Sequence, residues 1–382
     1  MTILDEFGRP IADARGEVQR LRTQINRLNA RYDASRTFEQ NQLHWANADI
    51  MSPDSANSYD VRTKLRSRSR YEVIENNSYL KGMLLTRSND VVGSGPRLQI
   101  TDPRITRARA QMIEAKFHMW AKAVKLRQKL WQLAMAKIVD GEAFGLEVTN
   151  PRVPGDIKLD YRVVEADQCT TYGRIRDYVN DVDGIEYDKY DNPRRYFVLA
   201  QHPGSTHMEF SKELGRWIPA SMVIHWFRKD RPWKRGVPEL TASLPLCALL
   251  RRYTQAVVQS AEVAADFAGV LESQGPPNAN IWSTSGSQIE DDPFDSFPID
   301  KGLFTTLPWG YKLSQLKAEQ PTAIYDKFVD ALLREIARPL LMPFNMAVGF
   351  SGGYNFASGT LDRQLYQNSL KVERCGSEED VL

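Results

Sequence analysis

The segment TASLPLCALLRRYTQAVVQSAEVAADFAGVLES limits this chain's folding options more than any other. Thr241 or Ser243 can cap a helix here, Pro245 is tolerated in a first turn, and no strong breaker follows for many residues. A helix over Ser243–Glu272 would be about 45 Å long at 1.5 Å per residue. Its second half is crowded with small side chains (Ala256, Ser260, Ala261, Ala264, Ala265, Ala268), which permit close approach of neighbouring helices. A rod of that length exceeds the width of a small domain, so the rest of the fold has to be built around it.

At 382 residues the chain is long enough for two or three domains with sizeable cores. Upstream of the rod the texture changes twice. In IADARGEVQRLRTQINRLNARY, Ile11, Ala14, Val18, Leu21, Ile25, Leu28 and Tyr32 follow a three-four spacing. That spacing fits either a short coiled-coil seam or an amphipathic helix docked on its own domain. Residues 48–60 read as a loop, and RTKLRSRSRYEVIENNSYLKGMLLTRSND as a basic lead-in to a helix that closes at GSGP. A solvated face is the expected place for that basic run.

A helix is expected around Ile105–Val124, with Ile113, Phe117, Trp120 and Val124 on one face. In LRQKLWQLAMAKIVDG, Leu126, Leu130, Leu133 and Ile138 point inward and Gly141 suits a left-handed helix end. From 142 to 227 short alternating runs (AFGLEV, IKLDYRVV, GIEYDKYDNPRRYFVLA, MVIHWF) predict strands, with a hairpin at Asp-Asn-Pro. Downstream of the rod come an acidic irregular stretch and a strand-like piece, GLFTTL. A helix follows with Ile324, Phe328, Leu332, Ile336 and Leu340 at spacing four, then a last helix from NFASGT.

Charge and motif content narrow the function classes. The net charge is only +2, yet residues 1–130 hold 23 Lys+Arg against 14 Asp+Glu, an excess of 9 that the remainder offsets. A dedicated nucleic-acid binder is usually basic throughout. Cys169, Cys247 and Cys375 are widely spaced, which fits neither a disulfide framework nor a zinc site. The uncharged stretch Pro339–Leu361 is interrupted by Pro343, Gly349, Gly352 and Gly353, so no membrane association is expected.

No phosphate loop, HExxH or GxSxG occurs. His202 and His207 lack the further ligands a zinc site needs. Glu262 and Asp266 lie one turn apart on a rod that offers no cleft for sugar chemistry. No catalytic residue, metal or cofactor is therefore expected.

The stretch HWFRKDRPWKRGVPEL is the densest mixture of cations and rings. Such a mixture serves a nucleic-acid surface, with cations on phosphates and rings on bases, or a protein interface, where Trp and Arg dominate hot spots. Trp226, Arg228, Arg231, Trp233 and Arg235 are read as candidate interface residues.

Taken in order, several segments resemble the portal proteins of lambda-type tailed bacteriophages: RYDAS with HWANAD, RYEVIENNSYLKGMLLTRSNDVVGSGPRLQ, VDGEAFG, VIHWFRKDRPWKRGVPEL running into the long helix, and YNFASGTLDRQLYQ. The resemblance implies an α+β, mainly helical portal fold whose subunits form a ring, commonly a dodecamer, at one capsid vertex of the virion, assembled in the host cytoplasm. Residues 1–35 would be an N-terminal arm. The wing would span 36–240, helical over 60–141 and β-rich over 142–240. The stem helix would span 241–272, the clip 273–352 and the start of a returning stem helix 353–382.

Family chains go on through a tunnel loop, a long wing helix and a crown, whereas this sequence ends at Leu382. The implied partners are double-stranded DNA passing through the ring without sequence preference, the terminase large subunit, the major capsid or scaffold protein and a head-completion protein. Arg251, Arg252, Glu262 and Asp266 would then line the channel, and Glu290, Asp291, Asp292 and Asp295 would face the terminase and connector. Two rival classes stay open on the residues alone. One is a monomeric or dimeric sequence-independent nucleic-acid binder using Arg62 to Arg70 and the HWFRKDRPWKRGVPEL stretch. The other is a metal-dependent nuclease using Asp291 and Asp292.

Overall fold

The computed structural model describes residues 18–21, 43, 45–171, 181–205, 215–266, 270–273, 311–314 and 325–381. The chain divides into two compact units, Met1–Ser52 and Pro53–Leu382. In the first, residues 18–21 are helical, within the expected heptad stretch, and the rest of that stretch lies outside the described residues.

The second unit begins with helices. A single turn, Pro53–Ala56, precedes α1 (Tyr59–Ser69), which runs without a break into a π-helix, Arg70–Asn76. Asn77 then caps α2 (Ser78–Val92) by accepting the Leu80 N–H at 3.2 Å. Next come α3 (Arg107–Ala123) and α4 (Leu126–Asp140), within the spans their periodicity predicts. Gly141 ends α4 at φ 86°, in the left-handed region expected of it. Phe117 and Trp120 of α3 meet at 5.5 Å, and the Trp120 indole donates to Leu159 O at 2.8 Å, so this helix is sealed by its aromatic face.

The β block follows as expected. β1 (Glu142–Thr149) is the central strand of an antiparallel sheet, with β2 (Leu159–Val164) on one side. A second sheet has the order β3 (Asp181–Val182), β4 (Ile185–Tyr187), β5 (Pro193–Leu199) and β6 (Gly215–Pro219), and its β4–β5 hairpin turns at the predicted Asp-Asn-Pro. β7 (Val223–Phe227) returns to pair with the other edge of β1, placing Trp226 opposite Ala143. Alternation along β1 then divides the interior. Phe144 and Leu146 join Val164, Ile185, Tyr196, Val198 and Ile218 in a core between the sheets. Ala143 and Trp226 face a larger helical core instead, with Leu80, Leu84, Leu133 and Ile138.

That helical core receives the long rod, α5 (Leu244–Asp266), through Leu244, Cys247 and Leu250. It is shorter than expected: 23 residues, about 35 Å. Residues 270–272, placed in the rod by their sequence, fall in β8 (Val270–Ser273), which pairs antiparallel with β9 (Tyr311–Ser314). The GLFTTL piece lies outside the described residues. Then α6 (Tyr325–Ala337), the short α7 (Phe344–Val348) and α8 (Phe356–Val381) complete the unit.

The buried stripe of α6 is Val329, Leu333 and Ile336, continued by Leu340 in the 3-10 turn Arg338–Leu340 that follows, so Phe328 and Leu332 of the predicted stripe fall to its side. Four residues turn a helix by more than one full revolution, so an unbroken spacing of four drifts off the buried face. Among the described residues no helix is long and apolar enough to cross a membrane.

Candidate functional site: a long helix rooted in buried charge

The segment between β7 and α5 is where the cation-rich stretch falls, and the structure splits that stretch in two. Trp226 is 4% exposed within the helical core, with Lys137 Nζ 5.3 Å from its ring centre. Arg235 is fully buried. Neither reaches the surface, which corrects their reading as interface residues: both are committed inside the protomer. Arg228 and Trp233 are half-buried and Arg231 is exposed; Arg228 pairs with Asp230 at 2.9 Å and lies 3.6 Å from Glu239.

Arg235 is the hub of an ionic network that the amino-acid order alone does not reveal. Its Nε and Nη2 donate to Glu142 at 3.0 and 2.6 Å, and its Nη1 donates to Cys169 O at 3.0 Å and Asp183 Oδ2 at 3.2 Å. Glu142 also receives Arg66 Nη2, the Gly236 N–H at 3.1 Å and His225 Nε2 at 3.0 Å. An ionised carboxylate can only accept, so Nε2 carries the imidazole proton and Nδ1 faces the Tyr196 hydroxyl at 3.4 Å.

Arg62 binds Asp183, Arg66 also reaches Asp167 at 3.0 Å, and Arg70 binds Asp140 at 2.7 Å and Asp167 at 2.6 Å. The basic run is thus an inward-facing ladder, with Arg62 and Arg66 at 2% and 3% exposure, rather than the solvated face expected. Spacing is the signal that could have shown this: Arg62, Arg66 and Arg70 recur every fourth residue, on one helical face. Of the run's five cations only Lys64 and Arg68 are exposed, which removes most of those a nucleic-acid binder would have used there.

Burial would by itself raise the Glu142 carboxyl, but the guanidiniums of Arg235 and Arg66 and the His225 hydrogen bond override it and hold it well below the usual carboxylate range. Burial would likewise lower the Arg235 guanidinium, yet Glu142 and Asp183 raise it well above its ordinary value. Arg62 is brought down to about 10 by burial and by neighbouring Arg235, against the pull of Asp183. His225 is lowered by burial despite Glu142, consistent with a neutral ring. The Glu142–Arg235–Asp183 centre of the network is therefore ionised at neutral pH and buried.

Two glycines make the crossing possible. A side chain at Gly141 would collide with the Val237 and Pro238 backbone, and one at Gly236 with Gly141. With those contacts made, Glu239 N–H donates to Ile138 O at 3.1 Å and Lys137 donates to Glu239 at 2.8 Å. Lys137 also binds Glu373 of α8. The base of α5 is thus fastened to α4, β1 and α8 within a few residues.

From this root α5 leaves its own core. Arg251 remains attached, donating to Glu72 of the π-helix at 2.7 Å and lying 5.0 Å over the Tyr71 ring. Tyr253 stacks on Tyr325 at 5.6 Å and meets Phe328 edge-on at 5.1 Å, so α6 is the helix that runs back beside α5. The sequence placed α6 in the clip and made α8 the returning helix. Instead α8 lies against α2 and β7, with Tyr366 donating to Asp90 at 2.9 Å and Arg374 to Val91 O at 3.0 Å.

On α5, Arg252, Gln255, Gln259 and Glu262 are all exposed and fall within about 80° of arc at 100° per residue. Leu249 (54% exposed) and Val258 (51%) flank this polar stripe on opposite sides. Asp266 closes the described helix, on the same stripe by its position. Glu290, Asp291, Asp292 and Asp295 lie outside the described residues.

Glu165, Asp167 and His202 bring possible metal-ligand atoms within 4.8 Å of one another. Arg66 and Arg70 already occupy Asp167, and His202 Nδ1 accepts the Gly204 N–H at 3.0 Å. His202 Nε2 lies 3.4 and 3.5 Å from Glu165 and Asp167 without a hydrogen bond to either. His207 lies outside the described residues.

Comparison with known proteins places this architecture. A probable portal protein of Halomonas phage phiHAP-1 is 23% identical over 195 residues, which are 49% of this chain and 37% of that protein's length. The chain therefore matches well under half of that relative. Among solved structures, a chain from the neck of an empty gene transfer agent particle is similar at 12% identity over 79% of this chain and 75% of its own, with a TM-score of 0.49. An HK97 family phage portal protein from Corynebacterium diphtheriae is similar at 11% identity over 78% and 85%, with a TM-score of 0.32. The family described as "Phage portal protein, lambda family" matches residues 39–361, most of the sequence, and the chain belongs to that family.

Proposed function

We propose that this chain is one subunit of a ring that forms the DNA conduit at a capsid vertex, used for packaging the genome and later for its ejection. The observation that carries the reading is the exposed surface of α5 between Leu249 and Glu262: a polar stripe flanked on opposite sides by exposed Leu249 and Val258. In a ring of such rods the stripe faces the lumen and the two apolar flanks meet neighbouring copies. A lumen for sliding DNA cannot grip. Duplex DNA carries one charge per about 1.7 Å, and each fixed cation facing it adds salt-dependent affinity. A stripe of Arg252, Gln255, Gln259 and Glu262 holds one cation and one carboxylate, so it adds little net attraction.

On this reading Arg252, Glu262 and Asp266 line the channel. Arg251, expected there too, is engaged by Glu72. Arg228, Arg231 and Trp233 remain the surface part of the proposed subunit contact. The partners follow from the role: the terminase large subunit and a head-completion protein, met through Glu290, Asp291, Asp292 and Asp295, and the capsid or scaffold protein. Assembly would take place in the host cytoplasm, and a dodecamer is the proposed stoichiometry. No catalytic residue is assigned.

Negative-stain microscopy and light scattering of the purified chain test the proposal. Rings with a central hole are expected, together with weak binding to free duplex. A protein that stays monomeric at high concentration, or that binds duplex tightly, would sink it.

A further inference from the structure

Where α3 gives way to α4 there is an open groove of about 490 Å³, walled by Lys122, Lys125, Arg127, Gln128, Trp131 and Asn89 among others. Three of its residues are cations and none is a carboxylate. The next cation along, Lys129, is neutralised by Asp160. Trp131 is fixed as a wall by its indole N–H, which donates to Asn89 Oδ1 at 3.0 Å. Arg127 is held through Nε, which donates to Gly93 O at 2.9 Å, a bond that does not use its two Nη groups.

Lys125 is the most informative member. Its backbone is left-handed, φ 54° and ψ 42°, where glycine or asparagine would sit with less strain. A long cationic side chain sits there although it caps nothing, and the first turn of α4 carries no acidic residue to offset the positive end of the helix. Strain held at a solvent-exposed, charged position points to use.

From these features we infer that the groove is a docking site for an acidic peptide segment of a partner protein, two or three of whose carboxylates are received by Lys122, Lys125 and Arg127 while an aliphatic side chain rests on Trp131. Size decides against a duplex, since a pocket of this volume admits a few side chains, whereas a double helix presents its phosphates along an extended convex surface. The cluster of three cations is complementary in charge to a short run of Asp and Glu. The site is independent of the channel stripe on α5, so it stands or falls separately from the conduit proposal.

The test is fluorescence anisotropy on the whole protein with a labelled peptide rich in Asp and Glu and containing one Leu. The Asn/Gln version of that peptide, a short DNA duplex and inorganic phosphate serve as comparisons at the same ionic strength. The acidic peptide should bind about tenfold or more tighter than its neutral version, and Lys122→Glu with Lys125→Glu should abolish the difference. Lys125→Gly separates binding from folding, because it removes a cation and relieves the backbone together. Weaker peptide binding with an equal or higher Tm is the expected result. Unchanged binding in the double variant, no binding by the acidic peptide, or duplex or phosphate binding as tight as the peptide's would overturn the assignment.

Discussion

Arg235 shows how much one side chain decides here. It is buried among Glu142, Asp183 and the Cys169 carbonyl, so replacing it strands two carboxylates in the interior. Removing one member of such a buried pair costs about 3–5 kcal/mol. Arg235→Met should therefore lower the unfolding free energy by about 3–5 kcal/mol, whereas Arg68→Ala at an exposed position should change it by no more than about 0.5 kcal/mol. Chemical denaturation of the two variants beside the parent checks this. Glu142 adds a pH signature. Its folded carboxyl titrates well below the ordinary value of 4.5, so its contribution is complete above that value and is lost as the pH falls through the folded value. Asp183 and Asp167, also lowered, act in the same direction, and Asp140, raised mainly by burial, acts in the opposite one. Glu142→Gln should be less stable than the parent by about 3–5 kcal/mol at neutral pH, and that gap should narrow as the pH drops below 4.5. A gap that stays constant under acid would show that the carboxylate charge is not what matters.

At the scale of elements, α5 has two regimes. Its first turns are core, and its remainder is held on one side by aromatic contacts to α6. Aromatic pairs of this kind add about 0.5–1.5 kcal/mol each beyond their buried area. Tyr253→Ala should therefore raise hydrogen exchange in Tyr325–Ala337 while leaving Leu126–Thr149 protected; equal loosening of both would mean that Tyr253 supports the whole unit. Most elements could be read from periodicity: α3 and α4, the strands around the Asp-Asn-Pro turn, and the turn at Gly141 all lie where their residues predict. The misread ends have local causes. Val270–Ser273 follows Ala-Gly, which weakens a helix, and it becomes a strand only because Tyr311–Ser314 pairs with it from far along the chain. Arg62, Arg66 and Arg70 read as solvated because their every-fourth spacing shows a shared face but not the distant carboxylates which that face meets.

At the scale of the molecule, the exposed flanks of α5 are the observation that asks for further copies. Leu249→Asp with Val258→Asp should leave helix content and Tm close to the parent's, since both side chains are about half exposed, but should abolish rings in negative stain. Rings that survive the double substitution would move the subunit contact elsewhere, with Arg228, Arg231 and Trp233 the next surface to alter. The periodic pattern of apolar residues, local and repeated every turn or every second residue, was enough to specify the helices, the β block and the long rod. Which charges are internal, which helix returns beside the rod and which of its faces is left bare depended on packing. Glu142 meets Arg66 and Arg235 across 76 and 93 residues, and an electrostatic pair acts through distance in space, which separation along a chain does not encode.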